Sequence, residues 1–242
     1  MAVSLAFNLD CMEAMKRFPD KYFDLAVVDP PYGDACSQPV QVERERERRS
    51  THGQGKNCRK PDGTWGYANW RNVGNEVCKK IISWDVAPEQ DYFEELFRIS
   101  RNQIIWGGNY FSLPPTRCFL VWRKLTISEN FSMAMCEYAW TSFNANAKWF
   151  EYAPQDTTRF HPTQKPVALY RWIFNNYAKQ GDKILDTHLG SGSSRIAAFD
   201  ANLDFWGYEI DKTYFDLQEQ RFQAHASQQN LFLMEETEYG LL

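Results

Sequence analysis

An α/β fold built on a doubly wound, mostly parallel sheet is predicted by three apolar runs in this 242-residue chain, each of which ends in an acid. Asp24 to Val28 (DLAVV) reads as a short buried strand running into Asp29-Pro30-Pro31-Tyr32-Gly33. Ile184-Leu185-Asp186 reads as a second strand that passes through Thr187-His188-Leu189 into the glycine turn Gly190-Ser191-Gly192-Ser193, with a helix opening at Arg195 to Phe199. Phe205 to Tyr208 is the third, closed by Glu209 about 20 residues past the glycine turn, the spacing at which a doubly wound unit brings a carboxylate onto a ribose diol.

The remaining elements follow from pattern. Val3 to Phe7 predicts a strand, and Met12 to Arg17 a short helix. Gln90 to Ile99 carries Tyr92, Phe93, Leu96 and Phe97 at helical spacing, a core-facing stripe. Gln103 to Trp106 is a strand stopped by Gly107-Gly108-Asn109. Cys118 to Trp122 and Met135 to Ser142 have no helical period between them and predict a hairpin at one sheet edge. Pro166 to Tyr177 is a helix with proline in its first turn, and Asp211 to Gln223 is the last helix. This order predicts that the Ile184 and Asp24 strands lie side by side with their helices on opposite faces, opening a crevice at a topological switch point.

The turn after Asp24 to Val28 carries its own chemistry. Neither proline can donate to a sheet, and each restricts the residue before it, so the strand must stop in a rigid turn. That turn offers a carboxylate (Asp29), a carbonyl (Pro30) and an aromatic face (Tyr32), two acceptors for an amino group and a plate for a flat heterocycle. The glycine turn is no phosphate loop, because no lysine follows it as GxxxxGK[ST] requires, and it has two of the three glycines of GxGxxG. A nucleoside cofactor without a pyrophosphate fits, and S-adenosylmethionine leads.

Together Asp29-Pro30-Pro31-Tyr32, His161-Pro162-Thr163-Gln164-Lys165-Pro166 and the 190 to 192 turn resemble the amino-methyltransferases of DNA. The order, catalytic motif first and cofactor turn last, is similar to the β class of adenine-N6 and cytosine-N4 enzymes. The resemblance implies a Rossmann-like methyltransferase fold with circularly permuted motif order and S-adenosylmethionine as cofactor. It implies that Asp29, Pro30, Pro31 and Tyr32 hold the target base. Asp186, His188, Gly190, Ser191, Gly192 and Ser193 would cradle the cofactor, and Glu209 would bind its ribose hydroxyls. Thr163 and Lys165 would lie near its methionine carboxylate and Asp10 at its adenine's amino group, with Cys11 and His161 also among the cofactor-binding residues. The family usually has Asp-Pro-Phe where this chain has Asp186-Thr187-His188.

The implied reaction is methylation of adenine N6 on a flipped-out base of double-stranded DNA. Cytosine-N4 methylation is the alternative; methylation of RNA or of protein glutamine, or an inactive DNA-binding module, stand further off. Carbon-5 cytosine methylation needs a cysteine, typically beside a proline, and no Pro-Cys dipeptide occurs.

Composition agrees with a folded chain: 43% of residues are hydrophobic and 16% aromatic, and a single methyltransferase domain over 1–242 is expected. The net charge of −4 means that any grip on phosphate must be local. The expected grip is a mobile basic insertion at about 34–84, with Arg44, Arg46, Arg48, Arg49 and Lys56 contacting DNA, and a short target-recognition segment at about 143–160 offering Trp149, Tyr152 and Arg159. No C-x-x-C pair occurs among the six cysteines, so reduced thiols and no metal site are expected. No leader or long apolar span is evident, which predicts a cytoplasmic protein without membrane contact. A cognate restriction endonuclease as partner, and a monomer or homodimer, complete the expectations.

Overall fold

The computed structural model describes residues 2–33, 86–128, 134–154 and 159–238, with side chains described as far as residue 228. The chain divides into two compact units, one of Met1–Pro30 with Glu89–Leu242, the other of Pro31–Pro88. In the second unit the described part is brief: Gly33 takes a positive φ of 65°, and a Cβ there would fall 3.0 Å from the Ala87 nitrogen.

The first unit is an eight-stranded sheet: β1 (Ser4–Phe7), β2 (Phe23–Val28), β3 (Ser100–Trp106), β4 (Phe119–Lys124), β5 (Cys136–Thr141), β6 (Lys148–Tyr152), β7 (Lys183–Asp186) and β8 (Asp204–Tyr208). Their order is β1-β8-β7-β2-β3-β5-β4-β6, and β5 alone runs against the others. The helices are α1 (Cys11–Met15), α2 (Gln90–Ile99), α3 (Val167–Tyr177), α4 (Ser193–Asp200) and α5 (Lys212–Glu238).

Side-chain alternation divides the central strands between two cores. Leu25, Val27, Ile104, Trp106 and Ile184 face Leu169, Ile173 and Phe174 of α3 and Ala197 and Ala198 of α4. Ala26, Val28, Ile105 and Leu185 face Ala14 and Met15 of α1 and Tyr92, Phe93 and Leu96 of α2. The helices after β7 and before β3 therefore cover opposite faces, and β2 and β7 pair in parallel at Leu25↔Ile184 and Ala26↔Leu185, as the sequence predicts. The Asp24 carboxylate fixes this register by accepting the Lys183 N–H at 3.0 Å, across 159 residues of chain.

Several boundaries differ from the sequence reading. β3 starts at Ser100, because α2 ends directly into an extended residue that pairs with Phe23. Pro166 caps α3 from outside the first turn, at φ −65° and ψ 142°. The β4–β5 hairpin forms but does not make the edge: Lys148–Tyr152, expected as part of a recognition segment, adds to β4 as a parallel outer strand. α5 runs to Glu238, well past Gln223. No described helix is long and apolar enough to cross a membrane.

β3 stops where Gly107 enters the left-handed region, and Gly108 lies against β5. A Cβ on Gly108 would fall 2.5 Å from Trp140 Cβ and 3.0 Å from its backbone nitrogen. Gly108→Ala is therefore expected to cost about 1 to 3 kcal/mol by overpacking, read as a lower urea midpoint with unchanged slope.

Candidate active site

Asp29 and Asp186 stand at the carboxyl ends of adjacent strands, and Glu209 follows β8 on the far side of β7. The turn between β7 and α4 is closed by backbone geometry. Gly190 and Gly192 have φ of 51° and 72°, and Gly192 caps α4 from the left-handed region, which an L side chain would strain. Glu209 braces the turn, accepting the Gly190 N–H at 2.8 Å on one oxygen and the Asp211 N–H at 2.9 Å on the other. Ile210 adds a third backbone hydrogen bond to the same carboxylate.

Asp186 is buried, accepting the His188 N–H at 3.0 Å and the Ser194 hydroxyl. Burial pushes its pKa up to about 7, those two donors pull it down, and the charges of Asp29 and Glu209 raise it further. Burial likewise raises Glu209, offset by its backbone donors. The site is thus rich in carboxylates that disfavour one another.

Lys165 is buried, and its ammonium bonds Asp29 Oδ2 and lies 3.1 Å from Glu137 Oε2. It also lies over the Trp106 ring, 5.4 Å from the centroid. Burial alone would lower its pKa, but Asp29 and Glu137 outweigh that and raise it. Glu137 in turn bonds Lys124 Nζ at 2.6 Å. Burial would raise the Glu137 carboxyl, yet the two ammoniums hold it at about 2. Neither Glu137 nor Lys124 belongs to a sequence motif, and no signal in the sequence singled them out. Lys165, which the family resemblance puts near the cofactor's methionine carboxylate, is engaged here by the carboxylates of Asp29 and Glu137.

The other expected site residues fall in several places. Asp10 caps α1, its Oδ1 accepting the N–H groups of Met12 and Glu13 at 2.8 and 3.2 Å. Beside it the Cys11 thiol is pushed up to about 12 by burial and by Asp10, so it stays protonated. His161 lies with its ring near Gly190 and edge-on to Tyr214, and Thr163 bonds its Nδ1. Ser191 and Ser193 are buried; their hydroxyls bond each other, and Arg221 bonds Ser193 Oγ and the Ser191 carbonyl, bracing the turn from α5. Trp149 is 66% exposed on outer strand β6, while Arg159 donates to the carbonyls of His161 and Pro162. Pro31 and Tyr32 belong to the second unit. Arg44, Arg46, Arg48, Arg49 and Lys56 lie outside the described residues. Among the described residues no cluster of His, Cys, Asp and Glu could hold a metal.

The family model for DNA methylases of the N6/N4 type matches residues 34–220, starting just after Gly33. The type II methyltransferase M2.MboI of Moraxella bovis is 23% identical over 249 residues, covering 89% of this chain and 87% of its own. M2.DpnII of Streptococcus pneumoniae is 38% identical over 64 residues, 26% of this chain and 24% of its own. In solved structures the fold is similar to M1.HpyAVI in complex with S-adenosylmethionine (17% identity, TM-score 0.50, 91% of this chain and 100% of that one). It is also similar to the cytosine-N4-specific PvuII DNA methyltransferase (11% identity, TM-score 0.53, 92% and 87%).

The fold is therefore that of the S-adenosylmethionine-dependent methyltransferases. The chain belongs to the N6/N4 family of DNA methylases, and it is a DNA methyltransferase using S-adenosylmethionine. The residues fit that cofactor: mutually repelling carboxylates at 186 and 209 suit a ligand carrying a sulfonium, an ammonium and a ribose diol.

Where the family has Pro-Phe, this chain builds a polar chain. The Tyr92 hydroxyl lies 2.6 Å from Thr187 Oγ1, which lies 2.9 Å from His188 Nδ1. Burial lowers the His188 pKa to about 4, so the ring is neutral near pH 7. A histidine normally titrates near 6.5, so stability from the neutral ring is full above about pH 6.5 and is lost as pH falls toward 4. His161, also lowered to about 4 by burial, Arg159 and Lys165, adds in the same sense, whereas Asp186, raised to about 7, acts oppositely. Removing one histidine isolates its share. The stability advantage of wild type over His188→Phe is expected to shrink by about 1 to 3 kcal/mol between pH 7 and pH 4 in urea titrations; a constant difference would contradict a buried neutral ring.

Proposed function

We propose that the chain methylates the exocyclic N6 of adenine in double-stranded DNA, the base being flipped from the helix into the cleft at the end of β2. The observation that carries this reading is the carboxylate at Asp29, heading the proline turn beside the end of β7. An exocyclic amine is a poor nucleophile because its lone pair is delocalised into the ring. Asp29 and the Pro30 carbonyl would accept its two hydrogens and turn the lone pair toward the methyl donor. S-adenosylmethionine supplies a methyl group on a sulfonium, a strong leaving group, so no covalent enzyme intermediate is needed. A carboxylate is too weak a base to deprotonate the amine beforehand; the nitrogen would take the methyl group as the carbon–sulfur bond breaks to the neutral thioether, and the methylated, now acidic nitrogen would give its proton to the carboxylate or to water.

Around this step, Glu209 would receive the ribose hydroxyls, Asp186 the cationic end of the cofactor, and Asp10 its adenine. His188 would pack where the family's phenylalanine lies, and Tyr32 would stack on the target base. The arginines at 44, 46, 48 and 49 would contact phosphate, because arginines alternating with glutamates have no fixed geometry for base edges. Trp149 and Arg159 would reach a groove. Two relatives are described as type II methyltransferases, in keeping with a restriction endonuclease as partner; the chain would act in the cytoplasm, as monomer or homodimer.

Cytosine-N4 methylation uses the same acceptors on another amine. Incubation with labelled cofactor and unmethylated duplex, followed by digestion to nucleosides, separates the two: N6-methyl-2'-deoxyadenosine is expected, and N4-methyl-2'-deoxycytidine overturns the assignment. Asp29→Ala should abolish transfer while leaving cofactor affinity within a few-fold. A variant keeping more than about a tenth of wild-type turnover, a loss under about 1.4 kcal/mol, would remove Asp29 from catalysis.

A further inference from the structure

We propose that Glu137 and Lys124 are positioning residues for methyl transfer, acting through Lys165 to fix the carboxylate of Asp29. The proposal rests on the reading of Asp29 as acceptor of the target amine.

The geometry starts from strand periodicity. Trp122 pairs with Glu137 across β4 and β5, and Lys124, two residues on, shares that face. The same face carries Leu120, Trp122 and Ala139, continues through Trp106, and reaches Leu25 and Val27 of β2. Asp29 follows Val27 by two residues. Lys124, Glu137 and Asp29 are thus the positions at which the apolar face of three strands gives way to charge, all at the end of the sheet where β2 stops. Lys165, entering from the segment before α3, lies on Trp106 and joins Asp29 to Glu137.

The result is an alternating row, Lys124–Glu137–Lys165–Asp29, whose two ammoniums balance two carboxylates. The side chains of Lys124 and Lys165 are only 6% and 4% exposed, so water screens the row poorly. A single Lys–Asp pair would leave the ammonium free to turn toward any nearby anion, including a cofactor carboxylate. A second carboxylate behind it holds the ammonium in line, and Lys124 keeps that carboxylate ionised. Asp29 then has Oδ2 engaged in a fixed direction, which sets the plane in which its carboxylate meets the amine.

The groups around Lys165 include Asp29 just past β2, Glu137 from β5, Lys124 behind it from β4, His161 from its own segment, the Trp106 ring beneath, and, facing the same carboxylates, the buried Tyr170 phenol of α3 and Asp186 of β7. Burial lowers the Lys165 pKa and the two carboxylates raise it. Loss of one carboxylate therefore moves the lysine toward deprotonation, and activity that needs the ammonium is lost at lower pH than in wild type.

Glu137→Gln leaves two buried ammoniums facing one carboxylate and is expected to lower stability strongly. The double variant Lys124→Met/Glu137→Gln restores charge balance, and its methionine packs on Trp122. The test is kcat, KM for duplex, cofactor affinity and the pH profile of kcat for wild type and both variants, with thermal melting alongside. The double variant should recover the melting temperature. Its kcat should stay lower by on the order of tenfold or more, KM and cofactor affinity should change by less than about threefold, and the alkaline limb should move to lower pH. A double variant with wild-type kcat and an unmoved alkaline limb would reduce the row to a structural device and overturn the proposal. A main loss in cofactor affinity would overturn it too, by assigning Lys165 to the cofactor. Turnover surviving in Asp29→Asn would instead condemn the reading of Asp29 itself.

Discussion

The parallel pairing of β2 with β7 is the constraint on which the site depends. Leu25 and Ala26 meet Ile184 and Leu185 although the strands are 159 residues apart at the Asp24–Lys183 bond, so no local signal joins them. What joins them is burial on both faces, since each strand is apolar on both sides and can satisfy its backbone only beside another such strand. Once paired, the strands end together. A carboxylate then stands at the end of each, and with the covering helices on opposite faces the two acids meet at a topological switch point, where doubly wound folds bind their ligands.

Around that switch point the chain separates rigidity from chemistry. The glycine turn is held from below by Glu209 and from behind by Arg221, so its shape does not wait for a ligand. The Tyr92–Thr187–His188 chain ties α2 to the end of β7 and gives the replacement of Pro-Phe a structural logic: a neutral ring, oriented by a hydroxyl, in place of a phenyl ring. The buried charge row makes the opposite use of burial. Desolvated ions are costly unless each is paired, and here each has at least one partner, which leaves Asp29 with a defined direction rather than a freely rotating carboxylate.

What was legible in the sequence was whatever carried its own local constraint. Asp29 follows an apolar run and precedes two prolines, Gly190 and Gly192 need positive φ, and Glu209 ends an apolar strand at ribose spacing, so all three could be placed at strand ends. β6 was missed because an outer strand exposed on both sides shows no alternation; in KWFEY only Phe150 packs inward, against Trp172. The extent of α5 was missed because AHASQQNLFLMEETE has no regular apolar stripe. Glu137 and Lys124 look like ordinary solvated charges on strands, and only cross-strand register turns them toward Lys165. The role expected for Lys165 came from family resemblance, which marks a position without showing which anion it meets.

The central claim is that Asp29, held on one oxygen by Lys165, receives the target amine. The most direct measurement is a crystal structure of the chain with a non-reactive cofactor analogue and a duplex bearing its flipped target base. The account predicts an adenine N6 within hydrogen-bond reach of Asp29 and the Pro30 carbonyl, roughly 2.7 to 3.2 Å, with Lys165 still on Asp29 and Glu137. An amine beyond that reach, or a Lys165 ammonium turned onto the cofactor's carboxylate, would contradict it.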